Sequence, residues 1–143
     1  MIRKVLRSKI HRAHVTHADL HYEGSITLAP ELMELAGLVE YEAVQIWNVT
    51  NGNRFETYAM RGRVGTTDIS INGAAAHLAR PGDIIIIGVF QYIEEMELIK
   101  FKPRLVFVDE NNRPLPERGE IPGPSMGPAM GAARRRAFSA GSM

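Results

Sequence analysis

The stretch Pro81-Gly82-Asp83-Ile84-Ile85-Ile86-Ile87-Gly88-Val89-Phe90 decides the fold. Pro-Gly-Asp is turn chemistry, because proline presets φ and glycine accepts a positive φ. The apolar run after it is β-branched, which stiffens χ1 and favours a pleated strand over a helix. An uninterrupted apolar strand is expected to be buried on both faces. The run is far shorter than the roughly 20 residues a membrane-spanning helix needs.

Working outward, the flanking sequence reads as more short strands. Lys9-Ile10-His11-Arg12-Ala13-His14-Val15-Thr16 is a mostly polar strand. Val44-Gln45-Ile46-Trp47-Asn48-Val49 and Arg54-Phe55-Glu56-Thr57-Tyr58-Ala59 flank Asn51-Gly52, a strong hairpin signal. Asp68-Ile69-Ser70-Ile71 is a short strand that breaks into Asn72-Gly73-Ala74-Ala75-Ala76-His77, and Leu105-Val106-Phe107-Val108 is the last strand, closed by a polar turn at 109–112. One helix is expected where Pro30 opens, Leu32, Leu35 and Ala36 recur at helical spacing and Gly37 closes. The segment 92–100 allows a second short helix. Many short strands with few helices predict a mainly β, compact barrel over residues 1–113. From Pro114 the composition turns to Pro, Gly, Met, Ala and Arg without apolar periodicity, so 114–143 is expected to be a disordered tail.

Composition narrows the chemistry. The 143 residues suit one domain, with 45% hydrophobic and 23% charged residues. A net charge of +1 points to neither nucleic acid nor an anionic membrane. There is no cysteine, hence no disulfide framework and no thiol nucleophile, which fits a reducing, cytoplasmic setting. The basic start Met1-Ile2-Arg3-Lys4-Val5-Leu6-Arg7 lacks the apolar run of a signal peptide.

Several constellations compete for a function. His11, His14, His17 and His21 would crowd one face of a helix, but the segment reads as strand, where His11 and His17 face away from His14; no metal site is assigned. Ser25, His77 and Asp83 or Asp19 can be written as a triad, yet no Gly-x-Ser-x-Gly elbow is present. The Arg134-Arg135-Arg136 run would give nucleic acid only weak, salt-sensitive binding. Arg54 suits a carboxylate and Tyr58 a proton transfer, or both are ordinary residues of a half-exposed strand. On a regular strand Arg54 and Tyr58 share a face and Thr57 points to the other. If all three serve one chemistry, the strand is irregular or the site lies between subunits. The small side chains at Asn72 to Ala76 either open the backbone to a ligand or form a tightly packed turn. Gly24–Ser25 offers a source of electrophile in a chain without cysteine: the Ser25 hydroxyl can attack the unhindered Gly24 carbonyl.

An ordered set of blocks carries a resemblance. Lys9 to Arg12, Thr16 to Ser25, Trp47 to Gly52, Thr57-Tyr58, Ile71 to His77 and Pro81-Gly82-Asp83 together resemble the bacterial aspartate 1-decarboxylase family, a match running from the N-terminus to about Val108. The resemblance implies a double-psi β-barrel and a homotetramer with sites between subunits. It implies self-cleavage at Gly24–Ser25, aided by Thr57, that turns Ser25 into a covalent pyruvoyl cofactor. The substrate it implies is L-aspartate, which condenses with that ketone as a Schiff base and is decarboxylated to β-alanine and CO2 for pantothenate and coenzyme A synthesis. By the same resemblance Tyr58 reprotonates the product, Arg54 and Lys9 bind substrate, and Asn72, Gly73, Ala74 and Ala75 line the pocket beside Thr57. An accessory maturation factor is left open. The competing expectation from another class is a barrel of the same fold acting as a non-catalytic adaptor, with the Gly24–Ser25 bond intact.

Overall fold

A computed structural model describes residues 1–124 of the 143-residue chain. The elements run β1 (Ile2–His14), β2 (His17–Asp19), β3 (Ser25–Leu28), helix α1 (Pro30–Ala36), β4 (Ala43–Asn48), β5 (Arg54–Arg61), β6 (Ser70–Asn72), a 3-10 turn at Gly73–His77, β7 (Ile84–Glu94), a second 3-10 turn at Glu95–Ile99, and β8 (Arg104–Phe107). The eight strands form one mixed sheet in the order β2-β6-β3-β5-β4-β7-β1-β8. Three pairs are parallel, β1 with β8, β2 with β6 and β3 with β5. A parallel pair cannot be closed by a tight hairpin, so each of these needs a crossover. Mainly β architecture with such crossovers agrees with the double-psi β-barrel expected above.

The isoleucine run is the spine of β7, paired with β1 on one side and β4 on the other. Ile85 and Ile87 are fully buried, but Ile84 and Ile86 are only half-buried, so just one face of the run is sealed. The half-open face carries the Trp47 indole, which lies across Gly88; a Cβ there would come within 2.6 Å of the ring. Continuity of apolar residues does not reveal how thickly the second face is covered.

Further expectations change. β1 begins at Ile2, seven residues before the expected strand at Lys9, because the long β7 offers a partner to the mixed basic and apolar N-terminal residues (Arg3 opposite Ile93). It bends at two irregularities, one of which holds Arg12 at φ 64°. The helix buries Ala29, Leu32, Met33 and Ala36, the i, i+3, i+4, i+7 stripe, while Leu35 faces outward. The ambiguous segment 92–100 divides: Tyr92 to Glu94 complete β7, and only 95–99 coil, as a 3-10 turn with a capping box at Glu94 and Glu97. Within the expected tail, residues 114–124 follow β8: Leu115 N–H donates to the Phe107 carbonyl at 2.8 Å and the Arg118 guanidinium sits 3.6 Å from the Phe107 ring centroid. The remainder, with Arg134-Arg135-Arg136, lies outside the described residues. No helix among the described residues is long and apolar enough to cross a membrane.

Candidate active site

β3 is the strand on which the site is built. Its first residue, Ser25, pairs with Asn72 at the end of β6. On its other edge β3 runs parallel to β5, with Ile26 opposite Ala59, the residue after Tyr58. The start of β3, the end of β6 and the middle of β5 therefore meet around one peptide bond. The cavity they enclose is about 250 Å³ and is lined by Gly24, Ser25, Thr57, Tyr58, Asn72, Ala74 and Ala75, together with Phe55, Glu56 and Leu78. A larger cleft of about 510 Å³ between α1 and the 64–67 loop exists, but it has neither a strained serine nor a phenol.

The backbone at this bond is unusual. Ser25 is 3% exposed and adopts φ 132°, a region that residues with a Cβ rarely enter. Such an outlier costs about 1–3 kcal/mol and persists only where its surroundings over-determine it. Gly73, at φ 67°, presses on the same bond: a Cβ at Gly73 would stand 2.9 Å from the Gly24 Cα. The Tyr58 phenol oxygen lies 4.0 Å from where a Cβ on Gly24 would be. Asn72 is held beside Ser25 by two hydrogen bonds, its amide donating to Thr27 Oγ1 at 3.2 Å and its carbonyl oxygen accepting from Ser70 Oγ at 2.8 Å.

β5 behaves as the alternation predicts: Arg54, Glu56 and Tyr58 are exposed, while Phe55 and Thr57 are half-buried. Thr57 and Tyr58 nonetheless both line the cavity, because it opens at the strand's edge. Tyr58 stacks on Tyr41, ring centroids 5.9 Å apart. The contact with Tyr41, itself at φ 69°, is invisible in sequence, as are the lining residues Phe55, Glu56 and Leu78.

Arg54 and Lys9 stand apart from this cavity within one chain. The Arg54 guanidinium covers the Trp47 ring at 4.9 Å. Lys9 is largely buried and ion-paired with Glu120, in a second cavity of about 270 Å³ shared with His11, Phe107 and Arg118. Burial first, then the charges of Lys9 and Arg12, hold the His11 pKa below its ordinary value. No group of three or more His, Asp or Glu side chains among the described residues could hold a metal ion. The paper triad is not assembled, since His77 is exposed, Asp83 is buried against Asn48 and the Arg80 N–H, and neither lines the cavity of Ser25.

Residues 1–115 match the family described as aspartate decarboxylase. The aspartate 1-decarboxylase of Legionella pneumophila is 59% identical over 111 residues, 78% of this chain and 84% of the relative. That of Myxococcus xanthus is 53% identical over 125 residues, 87% and 96% of the two chains. That of Syntrophotalea carbinolica is 54% identical over 123 residues, 86% and 94%. Among solved structures, a computationally designed protein, msDPBB_sym2, is similar at TM-score 0.37 and 19% identity, covering 59% of this chain and 96% of that one.

Proposed function

This chain belongs to the aspartate decarboxylase family, and on that premise we propose how it decarboxylates L-aspartate: a pyruvoyl group made from its own Ser25 supplies the electrophile. The observation that carries the proposal is Ser25 itself, buried at φ 132° in a cavity that also holds Thr57, Tyr58 and Asn72.

Maturation begins with the Ser25 hydroxyl attacking the Gly24 carbonyl carbon. The Gly24–Ser25 C–N bond breaks as a C–O bond forms, converting amide to ester. The strained backbone favours this direction, because cleavage releases the φ constraint. Thr57, which lines the same cavity, donates to the developing oxyanion. Loss of the Ser25 α-proton then expels the Gly24 carboxylate and leaves a dehydroalanine. One water hydrolyses that residue, releasing ammonia and leaving a ketone at the new N-terminus. The residues present fit the group: a serine for its carbons, a glycine before it to leave, and an open cavity beside both that admits a substrate.

When present, the pyruvoyl group supplies a ketone conjugated to an amide, which takes up the electron pair left by the departing α-carboxylate. The chain's own groups do the rest. The Arg54 guanidinium holds the side-chain carboxylate, which survives the reaction; gripping the α-carboxylate would stabilise the ground state and oppose loss of CO2. Lys9 adds positive potential for the two carboxylates of the substrate. The Tyr58 phenol delivers a proton to the α-carbon after CO2 leaves and is recharged from water. Backbone groups of Gly73, Ala74 and Ala75 form the wall opposite Tyr58. Because Arg54 and Lys9 do not reach the Ser25 cavity of their own chain, they serve that of a neighbour in a cytoplasmic homotetramer.

Denaturing mass spectrometry tests the reading. The expected result is two fragments, residues 1–24 and 25–143, the larger carrying a ketone, together with release of β-alanine from L-aspartate. A single full-length mass that persists after long incubation would leave the adaptor alternative standing. Gly73→Ala provides a second check. Its methyl would overlap the Gly24 backbone at 2.9 Å and occupy an unfavourable φ. Cleavage is expected to slow by more than about tenfold, since displacing reacting atoms by an ångström costs rates of that order or more; denaturing electrophoresis over time reads it directly.

A further inference from the structure

The cavity's alanine wall is a weakly anchored element. In the 3-10 turn Gly73–His77 only Gly73 is buried, and no side chain caps its start. Of the rest, Ala75 and Ala76 are partly buried against the core, and Ala74 and His77 are not part of it. At one end it is set by Asn72, paired with Ser25, and by Gly73 against Gly24. At the other end it stops at Leu78, whose N–H returns to the Ala75 carbonyl at 2.9 Å.

The Leu78 carbonyl accepts from three side-chain amides at once: Asn48 Nδ2 at 3.2 Å, Asn51 Nδ2 at 3.2 Å and Asn53 Nδ2 at 3.1 Å. A carbonyl oxygen has two lone pairs, and three shared donors give the long distances observed. All three asparagines sit on the β4–β5 connection or at its edges, immediately before Arg54. They are also tied to one another: Asn48 Oδ1 accepts from Thr50 and Asn51 N–H, and Asn51 Oδ1 accepts from Asn53 N–H at 2.8 Å. Asn48 additionally donates to the buried Asp83 carboxylate at 2.8 Å, and that oxygen also accepts from Arg80 N–H at 3.0 Å. The hairpin that carries Thr57 and Tyr58 is thus bolted to the end of the alanine wall.

We infer that Asn48, Asn51 and Asn53 are positioning residues for the reaction proposed above: through the Leu78 carbonyl they set the spacing between the alanine wall and β5, and so the width of the substrate cavity. The inference rests on that reading of the cavity. None of the three touches substrate. Shifting their common acceptor moves Leu78 and Ala75, which line the cavity, and through them the turn that abuts Gly24.

Asn53 is the residue to test, because it is only partly buried and its backbone bonds to Asn48 and Asn51 survive substitution. Asn53→Ala removes one of the three donors and leaves two for two lone pairs, so KM for L-aspartate is expected to rise only about twofold. Asn53→Asp keeps the shape but turns an acceptor towards the Leu78 carbonyl. Its KM is expected to rise about three- to tenfold, as for loss of a hydrogen bond with repulsion in its place, with kcat changing less. Amide exchange at Leu78 and in Gly73–His77 is expected to quicken in Asn53→Asp and not in Asn53→Ala. A residue that merely shapes the hairpin would give equal effects for the two variants, confined to thermal stability. Equal KM and equal exchange in both variants, with wild type active, would overturn the inference. An uncleaved, inactive wild-type chain would instead overturn the reading beneath it, and the exchange experiment still reads the clamp in that case.

Discussion

Ser25→Ala is expected to yield one uncleaved chain of 15.9 kDa that releases no β-alanine above background. The substitution removes the only atom that can attack the Gly24 carbonyl from within the strained bond, and with it the carbons' route to a ketone. Activity should fall by the order of 10⁴–10⁶-fold, the scale seen when a serine of covalent catalysis is deleted. The fold should be almost untouched. Alanine has the same Cβ at φ 132° and so inherits the strain without altering the Asn72 pairing, which is made by backbone. The melting temperature therefore stays within a few degrees, as about 0.5 kcal/mol or less of change implies. Two fragments in this variant, or β-alanine production at the wild-type rate, would remove Ser25 from the centre of the chemistry.

Tyr58→Phe is expected to separate the two stages. Cleavage should proceed as in wild type, because maturation uses Ser25 and Thr57. Turnover should drop by about 10²–10⁴-fold, the range for losing a positioned general acid. The phenyl ring keeps its stack on Tyr41, so the cavity wall stays in place and KM changes little. Mass spectrometry of the purified protein and steady-state kinetics on L-aspartate measure the two outcomes side by side. Undiminished kcat in a fully cleaved Tyr58→Phe protein would pass the proton transfer to another group.

Much of the fold was readable locally. Pro81-Gly82-Asp83 and Asn51-Gly52 mark turns, and the β-branched run 84–87 marks the central strand. What escaped depended on partners. Residues 2–8, basic and apolar by turns without strict alternation, look like no strand until β7 is laid beside them. Leu35 fits a helical stripe on paper, but the surface α1 covers takes Met33 instead. The site was legible in unequal parts as well. Gly24, Ser25, Thr57, Tyr58, Asn72, Ala74 and Ala75 line one cavity, whereas Arg54 and Lys9 occupy other surfaces of the same chain. Tyr41 and the Asn48–Asn51–Asn53 clamp had no spacing signal, since each acts on a residue distant in sequence.

The amino-acid sequence by itself determined the chemical inventory: no thiol, a serine after an unhindered glycine, a phenol beside a threonine, and a pattern of branched residues and turns that can only be mainly β. Tertiary structure alone decided that these groups share one cavity and that the bond between residues 24 and 25 is held at φ 132°. The reason is physical. Propensity and turn chemistry act over a few neighbouring residues, but the strain at Ser25 is imposed by Asn72, Gly73 and β5, which the antiparallel pairing with β6 and the parallel pairing with β5 bring from some 30 to 50 positions away.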